Sequence, residues 1–578
     1  MASNSPRWWE GFVCGCAVVG AICASRPYAE MGFIDDWSYV KTAFEYARTG
    51  HFVYNGWATA MLGWQIRWGA LFVKLFGYSF TATRLSMLPV VLVSIWLFHS
   101  ILGRFGVERR NAVFGALMLG LSPLFLPLGA SYMTDVPGLF VILLCLYLCL
   151  RAIDARYDRD ALLWLALAAG TNVAGGTVRQ IAWLGALVMV PSTAWLMRRR
   201  QGALVAGALL WVCSALGIFA FLRWWRDQPY AVPEHIFQGP VSAAMMAHLG
   251  AELLKALLCT CLLVFPLLIA WLPRYKAFPQ RIRLTLAAFI AALAAGAYCL
   301  HLKRDLHLWT MPWLIHVIGS EGIFRYSWEM IGSRPVAIPV SLQAVFSLAI
   351  IAAAMVFAVA IGRQRNRGQS DADPRSGAYQ MRGLLWPFGI GYVGLLISRG
   401  LYTFIYDRYL LGLLPLAILG MIRLMQRSGL RPPLVGWAVL TLFGLFGVFA
   451  THDLYALNRA RIAAVQEVRA SGVPIDMVQA GIEFDGWTQI QLAGHVNNNG
   501  IDMPADAFVN DTRYLQRPQP CRFGFDRYLP ALNRAYVVVL ADATCGVQSV
   551  FPPVEYQGWL PPYRRWVYIR KVPQLPAK

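Results

Sequence analysis

From residue 11 to residue 451 the chain alternates long apolar stretches with short breaks rich in arginine. A helical run of about 20 apolar residues matches the hydrocarbon thickness of a bilayer, and reading such runs in order predicts about thirteen spans. They fall at approximately 11–29, 83–103, 111–128, 136–152, 160–178, 181–197, 202–222, 254–272, 284–301, 336–361, 383–398, 409–425 and 434–451. Between the first two lies a half-polar run, Trp37 to Arg48, with helical spacing and a stop at Gly50. After 452 the pattern changes. Residues 452–578 are polar and proline-rich, with a helical stretch at 455–470 and strand-like runs at Ala535–Leu540 and Trp566–Arg570. The expected fold is a polytopic α-helical membrane protein (1–451) with outward juxtamembrane helices and a small α/β domain (452–578).

Composition agrees: 58% of the 578 residues are hydrophobic, only 14% are charged, and the mean hydropathy is +0.50. The net charge of +21 raises the question of nucleic acid, but the basic residues are dispersed rather than gathered in one patch. Twenty-one of them fall in six alternate connections: Arg104, Arg109 and Arg110; Arg151, Arg156 and Arg159; Arg198 to Arg200; Arg274, Lys276, Arg281 and Arg283; Arg363, Arg365, Arg367, Arg375 and Arg382; Arg423, Arg427 and Arg431. The positive-inside rule assigns these to the cytoplasm, which puts the N-terminus inside, the C-terminal domain outside, and DNA out of consideration. The outward connections are then 30–82, 128–136, the turn near 179, 223–253, 302–335 and 398–408. Residues 1–30 also resemble a signal peptide, but this topology requires a retained first span.

The outward connections are rich in aromatic residues. The first carries Trp37, Trp57, Trp64 and Trp68, the fourth Trp224, Trp225 and Tyr230, and the fifth Trp309, Trp313, Phe324, Tyr326 and Trp328. Part of this is an interfacial belt; long loops of this kind also roof cavities at headgroup depth. Cytoplasmic residues 362–382 read as a flexible polar loop. No internal repeat, phosphate-cradling glycine loop or metal-spaced His/Cys cluster is visible. Nine of the eleven cysteines lie in or beside apolar runs, leaving Cys521 and Cys545 in the tail. Outside the cytoplasm these two are expected to form a disulfide, the alternative being two buried thiols.

An ionisable group near membrane depth is a functional candidate by default, because leaving it unpaired is costly. The outward acids are Asp35 and Asp36, Asp135 and Asp407; the outward cations are Arg67, Arg84, Arg179, Arg399 and Arg408. Asp36 reads as the N-cap of the 37–48 helix, which leaves Asp35 surplus. Asp135, ahead of Val136 and Pro137, is either a cap or a site residue. Asp407 reads first as a partner for Arg408 or another arginine. Several arginines beside carboxylates at one membrane face suit an anionic phosphate.

Ile34-Asp-Asp-Trp-Ser-Tyr39 followed by Tyr46-Ala-Arg-Thr-Gly50 resembles the opening of the GT-C glycosyltransferases, among them the bacterial relatives of protein O-mannosyltransferases and the lipid A aminoarabinose transferase. Gly77-Tyr-Ser-Phe-Thr-Ala-Thr-Arg-Leu-Ser86 resembles their approach to the second span, and Tyr132-Met-Thr-Asp-Val-Pro137 their second acidic loop. The resemblance covers most of residues 1–450. Two departures stand out: Asp36 replaces the usual glutamate, and Gly63-Trp-Gln-Ile-Arg-Trp68 stands where a Lys-Pro-Pro-type motif is expected.

The resemblance implies a catalytic membrane domain that moves a sugar from a polyprenyl phosphate to a lipid, glycan or protein acceptor outside the bacterial plasma membrane. It implies Asp35 as base, Asp135 as a second carboxylate orienting acceptor or metal, and Asp36, Arg67, Arg84, Arg179, Asp407 and Arg408 as substrate-binding candidates. No cofactor is required by the sequence, and a divalent cation between carboxylates stays open. A transporter or lipid flippase is the alternative; its polar groups belong near the midplane, whereas the acids here gather at one face. A non-catalytic scaffold leaves the surplus carboxylates unexplained.

Overall fold

A computed structural model describes residues 7–573 apart from 58, 235–238, 303–309, 315, 325–329 and 366–379. Trp309, Tyr326, Trp328 and most of the polar 362–382 loop lie outside the described residues. Every one of the predicted apolar runs falls on helix. Eight helices among the described residues are long and apolar enough to cross a membrane, and Trp8–Ala24 and Gln180–Leu196 are shorter apolar helices. Ala203–Arg226 is apolar all round: Leu209, Leu216 and Phe219 are each more than 60% exposed, as expected of a helix surrounded by lipid. Asp135–Asp154 is instead buried against Met87–Arg104 and Asp158–Gly176 at the centre of the bundle.

Three of the expected spans differ in detail. The 111–128 run is two helices, Arg109–Gly120 and Phe125–Gly129. Pro123, which has no N–H to donate, stands between them. The 409–425 run becomes a three-ten turn, Asp407–Leu410, followed by Leu414–Arg427. The last span does not end at 451: Leu434–Ala470 is one continuous helix of 37 residues. No glycine or proline interrupts 452–470, so hydropathy changes there while the backbone does not.

The region after 470 forms the small α/β unit expected. Strands β1 (Val478–Gln479), β2 (Tyr536–Leu540), β3 (Val547–Gln548), β4 (Val554–Gln557) and β5 (Arg564–Lys571) make one sheet, with helix Ile482–Ala493 beside it. β1 and β2 are parallel; β2, β3 and β4 each pair antiparallel with β5. Cys521 and Cys545 are joined in a disulfide. The unit is fastened to the long helix by polar contacts. Asp453 accepts the backbone N–H groups of Trp559 at 2.6 Å and Leu560 at 2.9 Å, and fully buried Arg461 bonds Ala480 O at 2.6 Å and Glu483 at 2.7 Å.

Candidate active site

The first outward connection folds into helices Asp36–Thr49 and Gly63–Phe76. The first stops where expected. Gly50, at φ +77°, takes the left-handed turn open to glycine, and its N–H returns to Tyr46 O at 2.8 Å. The start differs by one residue: Asp35, not Asp36, occupies the cap position, and its side chain makes no cap bond. Immediately before it Ile34 is held at φ +60°, a conformation a β-branched residue adopts only under constraint.

The adjacent carboxylates then part company. Asp36 is fully buried, accepting Phe33 N–H at 2.5 Å, Tyr132 N–H at 3.2 Å and Arg84 Nε–H at 3.3 Å. Arg84 completes the knot by donating to Ala29 O at 2.8 Å and Met31 O at 2.6 Å. Gln65 donates to Tyr132 O at 2.8 Å, and the Tyr132 hydroxyl donates to Gln65 O at 2.6 Å. Asp36 and Arg84 thus brace the first acidic loop against the second, and both Asp36 oxygens and all three Arg84 nitrogens are bonded to groups of the protein itself.

Asp35 faces the other way. Its Oδ1 accepts the Trp57 indole N–H at 2.8 Å, and its Oδ2 lies 3.4 Å from Arg408 Nη1, long for an N–H···O bond. Asp135 pairs through Oδ1 with Arg179, and Arg399 pairs with Glu234. The three guanidiniums surround one ring: Arg399, Arg179 and Arg408 stand 4.8, 5.3 and 5.6 Å from the centroid of Tyr409. Its carbonyl is fixed by the Tyr392 hydroxyl at 2.8 Å. His316 packs against Tyr406, ring centroids 4.5 Å apart and planes tilted by 37°. Burial, and then the charges of Arg408 and Arg179, push the His316 imidazole well down, so it is neutral. Tyr39 is buried among the same charges: burial, then Asp35, push its phenol well up against the pull of Arg408.

Each of the six connections expected to face outward contributes to this cluster: Asp35, Asp135, Arg179, Glu234, His316, and Arg399 with Arg408. Several of its polar atoms are not satisfied. Asp135 Oδ2, Arg399 Nε, Arg408 Nε and His316 Nδ1 are buried without a hydrogen-bond partner among the described residues. Buried polar groups in native proteins are nearly always bonded, so a gathering of unbonded ones leaves room for an outside partner.

The remaining candidates lie elsewhere or are engaged. Arg67 reaches the Tyr46 hydroxyl at 3.3 Å and the Phe52 ring at 5.1 Å. Asp407 is fully buried and accepts four bonds from three backbone N–H groups, of Val317, Ile318 and Arg408, between 2.7 and 3.0 Å. Burial nevertheless pushes its carboxyl up to about 6. Pairing through its side chain to an arginine, as first expected, is replaced by this backbone nest, which pins the backbone at Val317 and Ile318. Tyr409, His316, Glu234 and Tyr39 were not singled out by sequence; the one signal for Tyr409 was its place in Tyr406-Asp-Arg-Tyr409. Among the described residues no group of three His, Cys, Asp or Glu side chains is placed to hold a metal ion.

No protein-family model and no curated protein matches the chain. Solved structures with some likeness include ArnT from Cupriavidus metallidurans bound to undecaprenyl phosphate, 15% identical over 96% of this chain and 97% of that one (TM-score 0.39). Another is the oligosaccharyltransferase AglB from Archaeoglobus fulgidus with an inhibitory peptide and a dolichol-phosphate, 13% identical over 80% of this chain and 58% of that one (TM-score 0.38). A third is the S. cerevisiae protein O-mannosyltransferase Pmt1-Pmt2 complex bound to the sugar donor, 12% identical, covering 38% of this chain and 36% of that one (TM-score 0.30). Likenesses of this size say nothing of individual residues, whose roles rest on the geometry of this site.

Proposed function

We propose that this protein is a GT-C-type membrane glycosyltransferase. It takes a sugar from a polyprenyl-phosphate donor and attaches it, with inversion, to a hydroxyl of a lipid, glycan or protein acceptor on the outer face of the bacterial plasma membrane. The observation that carries the reading is the convergence of Arg179, Arg399 and Arg408 on Tyr409 beside Asp35 and Asp135, with donors and an acceptor still unbonded.

The chemistry follows from that set. The acceptor oxygen attacks the anomeric carbon as the bond from that carbon to the phosphate oxygen breaks, so one displacement inverts the centre. The acceptor proton passes to Asp35 Oδ2, the oxygen not held by Trp57. The polyprenyl phosphate leaves with its charge on the guanidiniums, which pair bidentately with phosphate oxygens. As the phosphate draws Arg408, the 3.4 Å contact with Asp35 gives way and the carboxylate is released to act as base. Asp135 Oδ2 accepts a hydroxyl of sugar or acceptor.

The test is transfer or hydrolysis of a radiolabelled polyprenyl-phosphate sugar by the purified chain and its Asp35→Asn variant. Turnover by the first and its loss in the second is expected; unchanged activity in the variant removes Asp35 from its role, and no turnover with any such donor favours the transporter reading. The orientation has its own test. A cysteine placed by Val550→Cys, at a residue 92% exposed, reacts in intact cells with an impermeant thiol reagent if the C-terminal unit lies outside.

A further inference from the structure

We infer that Trp57 is a positioning residue for Asp35, and that through it the C-terminal unit holds the proposed base in place; the inference rests on the transfer reaction proposed above. Three other tryptophans bond backbone carbonyls, Trp68 to Ser86 O at 2.7 Å, Trp183 to Val173 O at 2.9 Å and Trp211 to Leu187 O at 3.1 Å. Trp57 instead donates to a site carboxylate, at 2.8 Å.

What holds Trp57 comes largely from more than 400 residues along the chain. Its ring meets Phe525 at 5.6 Å and Tyr528 at 5.7 Å, and Trp37 at 5.0 Å. The backbone leading into it is pinned as well: Val496 N–H donates to Asn55 O at 3.0 Å, and the Asn498 amide donates to Gly56 O at 2.7 Å. Trp37, fully buried, is backed by the helix Ile482–Ala493. A Cβ on Gly486 of that helix would stand 2.6 Å from the Trp37 indole. The C-terminal unit therefore grips the strip 55–57 by backbone and ring, and the strip passes that grip to Asp35 through one N–H. An acceptor seated against the 523–528 segment would be felt at the base by the same route.

The experiment is a double-mutant cycle on the full chain in detergent. Trp57→Phe keeps an aromatic ring and removes the N–H. It is expected to lower kcat about tenfold, the order expected when a bond to a charged group is lost, with the donor KM and the stoichiometry of polyprenyl-phosphate binding unchanged. In an Asp35→Asn background the same change should cost less than about twofold, because residues that act as a unit are non-additive. A tenfold loss in both backgrounds, or none in either, overturns the inference. Phe525→Leu loosens the ring without touching the bond and should lower kcat in the same direction by about threefold, within the range of one aromatic contact. It carries the test if Trp57→Phe does not accumulate, and a wild-type kcat in Phe525→Leu overturns the coupling. Absence of turnover in the parent chain overturns the transfer reaction and the inference with it; turnover in the parent with a flat cycle overturns the inference alone.

Discussion

Asp35 and Asp36 are neighbours in sequence and opposites in environment. Asp36 and Arg84 form a closed knot in which the protein answers its own donors and acceptors. Asp35, Asp135 and the three arginines around Tyr409 form an open one, with partly exposed pairs and unbonded atoms. The same division recurs at 407–408: Asp407 is enclosed by backbone N–H groups, while Arg408 turns its guanidinium to the cluster. In each case a saturated residue fixes the backbone that presents an unsaturated one. A buried charge by itself therefore marks no site here; what sets the open cluster apart is that several unbonded atoms of both signs gather around one ring.

The widest break of this comparison is at the doublet. Asp35→Asn should cut kcat by about a hundred- to ten-thousandfold, the range for removing a general base, with the thermal midpoint near that of the parent. Asp36→Ala should do the reverse. Removing one partner of a buried pair costs about 3–5 kcal/mol, so the variant unfolds at lower temperature, and whatever folds keeps its donor KM. Calorimetry and a turnover assay on the same samples separate the two.

The adjacency explains what was legible beforehand and what was not. Apolar run length is a local property, so the helical runs, the stop at Gly50, the strands at 536–540 and 564–571 and the disulfide were all readable from sequence. Which connections share an end was readable as well, because the arginines gather in alternate ones. That Asp35, Asp135, Arg179 and Arg408 share one end follows from it. Helix continuity through 451 was not readable, since hydropathy falls there while backbone propensity does not. The cap was assigned to the wrong member of the doublet because the constrained turn at Ile34 starts the helix one residue early. Tyr409, His316 and Glu234 carry no spacing signal. Their role exists only where three separate connections meet.

Asp407 gives the comparison a dependence on pH. Its folded carboxyl, raised by burial to about 6, binds a proton more readily than the unfolded one, near 3.9. A raised carboxyl contributes stability that is fully present below about pH 4 and is lost as pH rises to about 6. At about 1.4 kcal/mol per pH unit the loss is on the order of 3 kcal/mol. Asp485, also near 6 through burial, adds a slope of the same sign. Asp407→Asn should remove the first share and leave the second, so its midpoint varies less between pH 4 and 6 than that of the parent. A variant with the parent's full slope would show that the nest does not hold a raised carboxyl.

Arg408→Lys and Arg84→Lys sharpen the contrast at constant charge. Lysine lacks the planar fork that grips two phosphate oxygens. The first should weaken donor binding about tenfold, roughly one lost charge-assisted bond, with little change in stability. The second should leave donor binding alone and lower the midpoint, because Ala29 O and Met31 O lose a shaped pair of donors.

The finest distinction lies in Glu234. Its pair with Arg399 is about a third exposed on both sides, and exposed pairs contribute about 0–1 kcal/mol. As a strut Glu234 is therefore weak. As a competitor it is well placed, since it occupies a guanidinium that stands 4.8 Å from the Tyr409 ring and whose Nε has no partner among the described residues. A donor phosphate arriving at Arg399 must displace that carboxylate. Glu234→Gln removes the competing charge while keeping the shape, so donor KM should fall by about two- to threefold, within the 0–1 kcal/mol of one exposed pair. Arg399→Gln should raise it. If Glu234→Gln raises the donor KM as well, the carboxylate orients Arg399 rather than restraining it.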